Sequence, residues 1–434
     1  MKNIFFQLIL LVLLLSFIKA QTRYKEEIFS EVIKTEDVVY GNAPDIPFDG
    51  AFEWFTADID LTMDIYEGDG DTLANRPVII FMHSGGFFTG NNEADDMVAL
   101  ANLSAKMGYV AVSIAYRLNY NLFSTYSAER AIYRGLQDLS AAVRYLREHH
   151  SDYGIDYDNI FIWGSSAGAF SGIHLSYMEE DDRMESTFVN NFGWDPDLGC
   201  IDCSGNDFDH DRKPKAVIAC WGGIFDLDWI NEGDEIPVIM FHGKADSTVH
   251  FNEGYPFQNE FNLPWLYGSN LVYNKLDSLN VRSELHDPEG MPHEYWGTYA
   301  GDWLEDGPNE YFDIIKEDAY SFIYDILYPF QMEVVNDEYI KIESFELHQN
   351  YPNPFNPITS LNYDLPEDGL VNITIYDMMG RVVKTLVNGS QTAGFKSVQW
   401  NATNNINEPV SAGLYLYTIQ AGEFIQTKKM VLLK

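Results

Sequence analysis

Two stretches of this chain have the residue types and spacing to do chemistry. Gly164-Ser165-Ser166-Ala167-Gly168 sets a serine between glycines two positions away on each side, after the apolar run 160–163 and before Ala169, Phe170, Ile173 and Leu175. A strand that turns at once into a helix holds such a serine in a strained conformation and lifts its hydroxyl clear of the sheet. Side chains at either glycine position would collide there. Upstream, the apolar run 76–82 leads straight into His83-Ser84-Gly85-Gly86-Phe87. Glycines after a buried strand let backbone amides approach a developing oxyanion, so Gly85, Gly86 and the amide of Ala167 are the expected donors. Phe87 and Ser165, next to these groups, are the expected substrate contacts.

A serine nucleophile needs a base and an acid to orient it. The run 236–241 reads as a buried strand and is followed by His242-Gly243-Lys244-Ala245-Asp246, which puts Asp246 just past a strand end. Asp226 and Asp228 are the alternatives. For the base, His293 lies in the loop Asp287-Pro288-Glu289-Gly290-Met291-Pro292-His293, with His286 as the alternative and His250 too close in sequence to Asp246. Ser166, Asp246 and His293 together would run acyl transfer without a metal or organic cofactor.

The intervening segments alternate. Residues 52–66 alternate as an antiparallel strand does, and 94–107 have the spacing of an amphipathic helix. Residues 109–114 read as a strand. In 129–149, Ala131, Ile132, Leu136, Leu139, Val143 and Leu146 recur at helical spacing. Further strands are expected at 215–222 and 281–286. This is the pattern of an α/β protein: a mostly parallel sheet flanked by helices, with its site at the strands' C-terminal ends. Residues 21–49 read as a polar arm on the surface. The segment 179–213 is dense in acids and reads as a solvated loop. Alternate aspartates in its Asp207 to Asp211 run are the residue type that holds calcium, but the spacing is not that of an EF-hand loop, so calcium is the alternative and the solvated loop the expectation, with no metal ligand assigned. Cys200 and Cys203 are spaced for a local bridge, with Cys220 free in a buried strand.

His83-Ser84-Gly85-Gly86, Tyr116-Arg117-Leu118, Leu139-Ser140-Ala141-Ala142-Val143-Arg144-Tyr145-Leu146 and the serine pentapeptide resemble the α/β-hydrolase superfamily. Within it they look like the carboxylesterase and hormone-sensitive-lipase-like branch, over roughly residues 50 to 330. Ser84 stands where the HGGG-type motif has its first glycine. The resemblance implies a serine esterase with the chain order Ser166, Asp246, His293.

The ends carry different information. Residues 1–20 hold Lys2, an apolar run from Ile4 to Ile18 and Ala20, the pattern of a secretory signal peptide. The catalytic part is expected over 21–338, a linker over 339–350, and a small all-β sandwich over 351–434, where short alternating runs are separated by turn residues. Lys and Arg number 27 against 66 Asp and Glu, a formal charge of −39; residues 345–434 carry seven acids and six bases, so the excess lies before them. Such a surface excludes nucleic acid and anionic membrane as partners and disfavours acidic polymers. Tyr351-Pro352-Asn353-Pro354-Phe355-Asn356-Pro357, Ile375-Tyr376-Asp377-Met378-Met379-Gly380-Arg381, Ala412-Gly413-Leu414-Tyr415 and the terminal Lys428-Lys429-Met430-Val431-Leu432 resemble the C-terminal sorting domain of type IX secretion cargo. That resemblance implies passage through the periplasm of a Gram-negative bacterium and recognition by the type IX machinery, leaving the protein secreted or at the cell surface. The expected function is a secreted serine carboxylic-ester hydrolase acting on neutral esters, such as acetyl or feruloyl esters of polysaccharide or a polyester. A lipase or serine peptidase of the same fold, or a non-catalytic adhesive homologue, are the alternatives.

Overall fold

The computed structural model describes residues 23–46, 53, 55–189, 195–259 and 262–328, and in the C-terminal part 345–350, 353–357, 359–366, 369–392, 394–406, 408–422 and 424–433. The expected signal peptide lies outside the described residues, as does 339–344 of the expected linker. The chain divides into two units, 1–330 and 331–434.

The first unit is built on an eight-stranded sheet: β1 (Val32–Asp45), β2 (Ala57–Gly68), β3 (Arg76–Met82), β4 (Val110–Ile114), β5 (Ile155–Ser165), β6 (Ala216–Cys220), β7 (Val238–Phe241) and β8 (Ser283–His286), in the order β1-β2-β4-β3-β5-β6-β7-β8. β1 pairs antiparallel with β2, and β2 with β4; every later pair is parallel. The central strands are apolar on both faces because helices cover both. Val78, Ile80, Ile160 and Ile162 point to one side, where α2 (Thr125–Glu148), α3 (Ala167–Tyr177) and α4 (Ser269–Ser278) pack. Ile79, Phe81, Phe161 and Trp163 point to the other, against α1 (Asp95–Met107) and α5 (Glu310–Leu327). The period-two alternation of side chains thus feeds two separate cores. This is the α/β-hydrolase fold.

Two expectations about segments of the first unit fail. The polar arm at 21–49 contains the 14-residue strand β1. It is an edge strand with one partner, half of its residues are exposed and only two are buried, and its pairing with β2 is interrupted by two register shifts. An edge strand kept polar in this way shows no hydrophobic alternation to read. The acidic segment 179–213 is also more than a solvated loop. It covers the polar side of α2, and buried arginines of that helix bind its backbone. Arg130 donates to the carbonyls of Ser186 and Pro196 at 2.9 and 2.7 Å. Arg144 donates to those of Ser204, Asn206 and Phe208. Irregular backbone cannot satisfy its own carbonyls, and guanidinium forks supply the donors it lacks. Cys200 and Cys203 are bonded within this segment, and Cys220 is free and buried.

The second unit is a sandwich of a three-stranded sheet, β9 (Glu346–Leu347), β10 (Thr359–Leu365) and β13 (Gly394–Trp400), and a four-stranded one, ordered β12 (Val382–Gln391), β11 (Gly369–Asp377), β14 (Gly413–Ala421), β15 (Phe424–Leu432). Leu361, Ile373, Ile375, Trp400 and Tyr417 lie in its core. Residues 345–350, expected in the linker, belong to this unit instead: Leu347 is fully buried and β9 pairs with β10.

One ion cluster holds the first unit's periphery. Buried Glu53 accepts from Arg130 at 2.9 Å and Arg134 at 2.8 Å. Glu53→Ala strands two buried guanidinium groups and is expected to cost about 3–5 kcal/mol. Asp313→Ala, which removes an exposed helix pair with Lys316, is expected to cost less than about 0.5 kcal/mol. Urea denaturation of the two variants side by side checks the difference.

Candidate active site

Ser166 sits where β5 hands over to α3, with φ 50° and ψ −107°. A serine holds that left-handed geometry only if its surroundings enforce it. They do so by crowding. A Cβ at Gly164 would lie 2.1 Å from the carbonyl carbon of Gly168, and a Cβ at Gly168 would lie 2.0 Å from the carbonyl oxygen of Met82 at the end of β3. The Ser166 amide donates to the Cys220 carbonyl at 2.9 Å, pinning the elbow to β6.

The structure brings the three distant residues together. His293 Nδ1 lies 2.6 Å from Asp246 Oδ2, and His293 Nε2 lies 2.9 Å from Ser166 Oγ. With a carboxylate at Nδ1, the proton belongs on that nitrogen, and Nε2 is free to accept from the serine hydroxyl. Asp246 is held in turn. Its Oδ1 accepts from the amides of Thr248 and Val249 at 2.8 and 2.9 Å. Burial works against its charge, but the imidazoles of His293 and His242 outweigh it and keep the carboxyl well below its ordinary range. Burial likewise opposes a charged His293, and the Asp246 carboxylate overcomes it, raising His293 above its ordinary value.

His242 is a residue that sequence reasoning left without a role. Fully buried, it contacts Ser269 Oγ through Nδ1 at 2.8 Å and the Val249 carbonyl through Nε2 at 2.9 Å, with Asp246 Oδ2 at 3.3 Å. It backs the acid from the side opposite its amides. Its position four residues before Asp246 was the available signal.

The alternatives lie elsewhere. His286 faces Asp318 at 3.3 Å. Asp226 caps a short 3₁₀ turn by accepting from the Asp228 amide, and Asp228 is exposed beside Lys275. The ring of His250 packs against Gly254.

Around Ser166 lies a cavity of about 50 Å³, lined by Gly86, Phe87, Ala167, Phe170, Phe225 and Phe257, among other apolar side chains. Phe87 has φ 61°, and its ring packs edge-on to Tyr116 and Phe170. Gly135 of α2 makes room for it, since a Cβ there would come 3.0 Å from the Phe87 ring. Gly86 and Ala167 therefore flank the serine. Gly85 does not line the cavity. It forms the turn behind it, its carbonyl accepting from the amides of Phe88 and Thr89 at 3.0 and 3.1 Å. Ser165 also departs from expectation: it is fully buried, and its Oγ accepts from Trp221 Nε1 at 3.0 Å, so it makes no substrate contact. Ser165, one position before the strained serine, is still part of β5.

His83 anchors the glycine loop as a neutral group. Its Nδ1 meets the Ser84 carbonyl at 2.6 Å, its ring stacks on Tyr116, and burial pushes its pKa down to about 4. Among the described residues no group of three or more His, Cys, Asp and Glu is arranged to hold a metal ion.

Known proteins match parts of the chain. The BD-FAE family model matches residues 63–198, and the FlgD Ig-like domain model matches 358–423. Gut esterase 1 of Caenorhabditis briggsae is 32% identical over 157 residues, covering 34% of this chain and 26% of that protein. Para-nitrobenzyl esterase of Bacillus subtilis (strain 168) is 33% identical over 100 residues, 22% of this chain and 20% of the relative. The chain thus spans about a quarter of the length of these curated relatives. Among solved structures, Thermogutta terrifontis esterase 2 phosphoramylated by tabun aligns over 69% of this chain and 96% of its own, at 19% identity and a TM-score of 0.45.

Gly168→Ala tests the elbow. A methyl group 2.0 Å from a backbone carbonyl forces β3 and α3 apart, and overpacking of this kind costs about 1–3 kcal/mol or more. The expected result is a lowered Tm together with loss of Ser166 reactivity toward an organophosphate probe. Gly369→Ala, where nothing lies near the new methyl, is expected to retain that reactivity.

Proposed function

We propose that this protein is a serine carboxylic-ester hydrolase that cleaves neutral esters of short acyl groups by way of an acyl-enzyme. The observation that carries the reading is the Ser166–His293–Asp246 relay, with contacts of 2.9 and 2.6 Å, opening on a small apolar cavity. In the forward step His293 Nε2 takes the Ser166 proton as Oγ attacks the ester carbonyl. The oxyanion is met by the amides of Gly86 and Ala167, the alcohol leaves with the proton from His293, and water repeats the sequence to release the acid. Asp246 stays ionised and stabilises the imidazolium.

Cavity size favours acetyl over feruloyl esters. An apolar cavity of about 150 Å³ accepts a benzene ring, and the space at Ser166 is about 50 Å³, which suits an acetyl to butyryl group. A long-chain lipase reading meets the same limit. The chain's formal charge of −39 supports a neutral rather than polyanionic substrate, so acetyl groups on a neutral polysaccharide are the favoured class. We propose further that residues 1–20 direct export and that the second unit is recognised by a type IX secretion machinery. The motifs at 351–357, 375–381 and 428–434 support this.

Ser166→Ala is expected to lower kcat on p-nitrophenyl acetate by on the order of 10⁴–10⁶; equal rates for the two proteins would end the esterase reading. Wild-type kcat/KM is expected to be at least about tenfold higher on acetate and butyrate than on decanoate, with Phe257→Ala narrowing the gap. Because His293 must be neutral to accept a proton and Asp246 raises its pKa, kcat/KM is expected to fall as pH drops through an apparent value above the ordinary ~6.5. Asp246→Asn moves that limb to lower pH and costs on the order of 10⁴ in kcat. Deletion of residues 345–434 is expected to hold the protein in the periplasm, and normal export of the shortened chain would refute the sorting role.

A further inference from the structure

His174 is fully buried and takes no part in the relay. It lies on α3, one turn after Phe170. Its Nδ1 is 2.8 Å from the Phe170 carbonyl, and the Phe225 amide donates to its Nε2 at 3.4 Å. A carbonyl only accepts and an amide only donates, so the proton sits on Nδ1 and Nε2 offers its lone pair. The imidazole is therefore neutral, with both nitrogens engaged. Its ring stacks on Phe170 with centroids 4.0 Å apart and meets Phe225 and Trp229 edge-on at 5.0 and 5.4 Å.

The two residues that His174 binds are both walls of the acyl cavity. Phe170 and Phe225 line it, and their rings pack edge-on at 4.7 Å. Phe170 belongs to the first turn after the nucleophile, its amide donating to the Ser166 carbonyl at 2.9 Å. Phe225 lies between β6 and β7, just past the short ladder that Gly223 and Ile224 form with Gly268 and Tyr267. Its amide is beyond that ladder and relies on a side-chain acceptor. The hydrogen bonds and ring contacts of His174 reach none of Ser166, Asp246 or His293.

We propose that His174 is a positioning residue that sets the depth of the acyl cavity, a strut between α3 and the segment after β6 that keeps the Phe170 and Phe225 rings closed behind the acyl group. This role rests on the esterase reading of the cavity. Without the imidazole, Phe170 has room to tilt back and a longer acyl chain has room to enter. The strut is uncharged because nothing near it favours a charge. Its own helix carries no Asp, Glu, Lys or Arg, and Asp226 and Asp228 of the facing turn are exposed. Burial pushes the imidazole pKa down to about 3, and the Phe170 carbonyl pulls the other way without overcoming it.

Acyl-length profiles on p-nitrophenyl esters test the strut. His174→Ala is expected to lower the butyrate-to-decanoate ratio of kcat/KM at least about fivefold, with kcat on acetate within about threefold of wild type. His174→Phe keeps a ring but makes neither hydrogen bond, and is expected to lower the same ratio at least about twofold. An alanine variant that keeps the wild-type ratio, or that loses activity equally on every chain length, overturns the proposal. So does a phenylalanine variant with the wild-type profile, which would leave only ring volume at work. A second readout needs no activity. A histidine that stays neutral in the folded chain takes up its proton only on unfolding, so stability is full above the unfolded value of ~6.5 and is lost as pH falls below it. The Tm of full-length His174→Phe relative to wild type is therefore expected to increase as pH falls from about 7 to about 4.5; a flat difference overturns the neutral strut. If wild type and Ser166→Ala hydrolyse esters equally, the esterase reading fails, and this Tm series still decides the state of the imidazole.

Discussion

The site depends on a steric constraint: at the junction of β3, β5 and α3 there is no space for a methyl group. The Met82 carbonyl, the Gly168 backbone and the Gly164 backbone approach within distances that only glycine permits. That closeness forces Ser166 into a left-handed conformation and aims Oγ at His293. The strain is sustained by the two cores on either face of the sheet, which fix the strand ends. A looser packing would let the elbow relax to an ordinary helix start and turn the hydroxyl away from the base.

The charge states around the elbow are set by what each buried group touches. Asp246 is ionised because two amides, His242 and His293 converge on it. His83 is neutral because it is buried without a carboxylate. The two imidazoles His293 and His83 are thus shifted in opposite directions within one site, as their surroundings dictate. The same physics explains the periphery. In a chain with 66 acids and 27 bases, several of the few arginines are spent inside, on α2, where their forks satisfy the carbonyls of an irregular segment.

Much of the architecture was legible. β3 and residues 160–163 of β5 read as apolar runs because both faces are covered, and α1 and α2 showed helical spacing on their core faces. Ser166, Asp246 and His293 could be named because each follows a strand end in the order the fold uses. The sandwich strands of the second unit were visible because one face of each is apolar and the turns between them are rich in Gly, Asn and Asp. β1 was missed: an edge strand with a solvated face owes its existence to its partner, β2, and not to its own pattern. The role of the acidic segment was missed because backbone carbonyls leave no trace in side-chain chemistry.

The sequence alone determined the alternation of strands and helices and the glycines that the elbow cannot do without, which are local matters of residue type, period and spacing, and with the family resemblance it named the serine, carboxylate and imidazole that the fold brings into contact. Tertiary structure decided what distance and burial control. It turned Ser165 toward Trp221 and made Gly85 the turn behind the cavity. It set His242 behind Asp246 and limited the cavity to about 50 Å³. Those outcomes depend on which segments, far apart along the chain, share the same few ångströms of space, and hydrophobic periodicity carries no information about that.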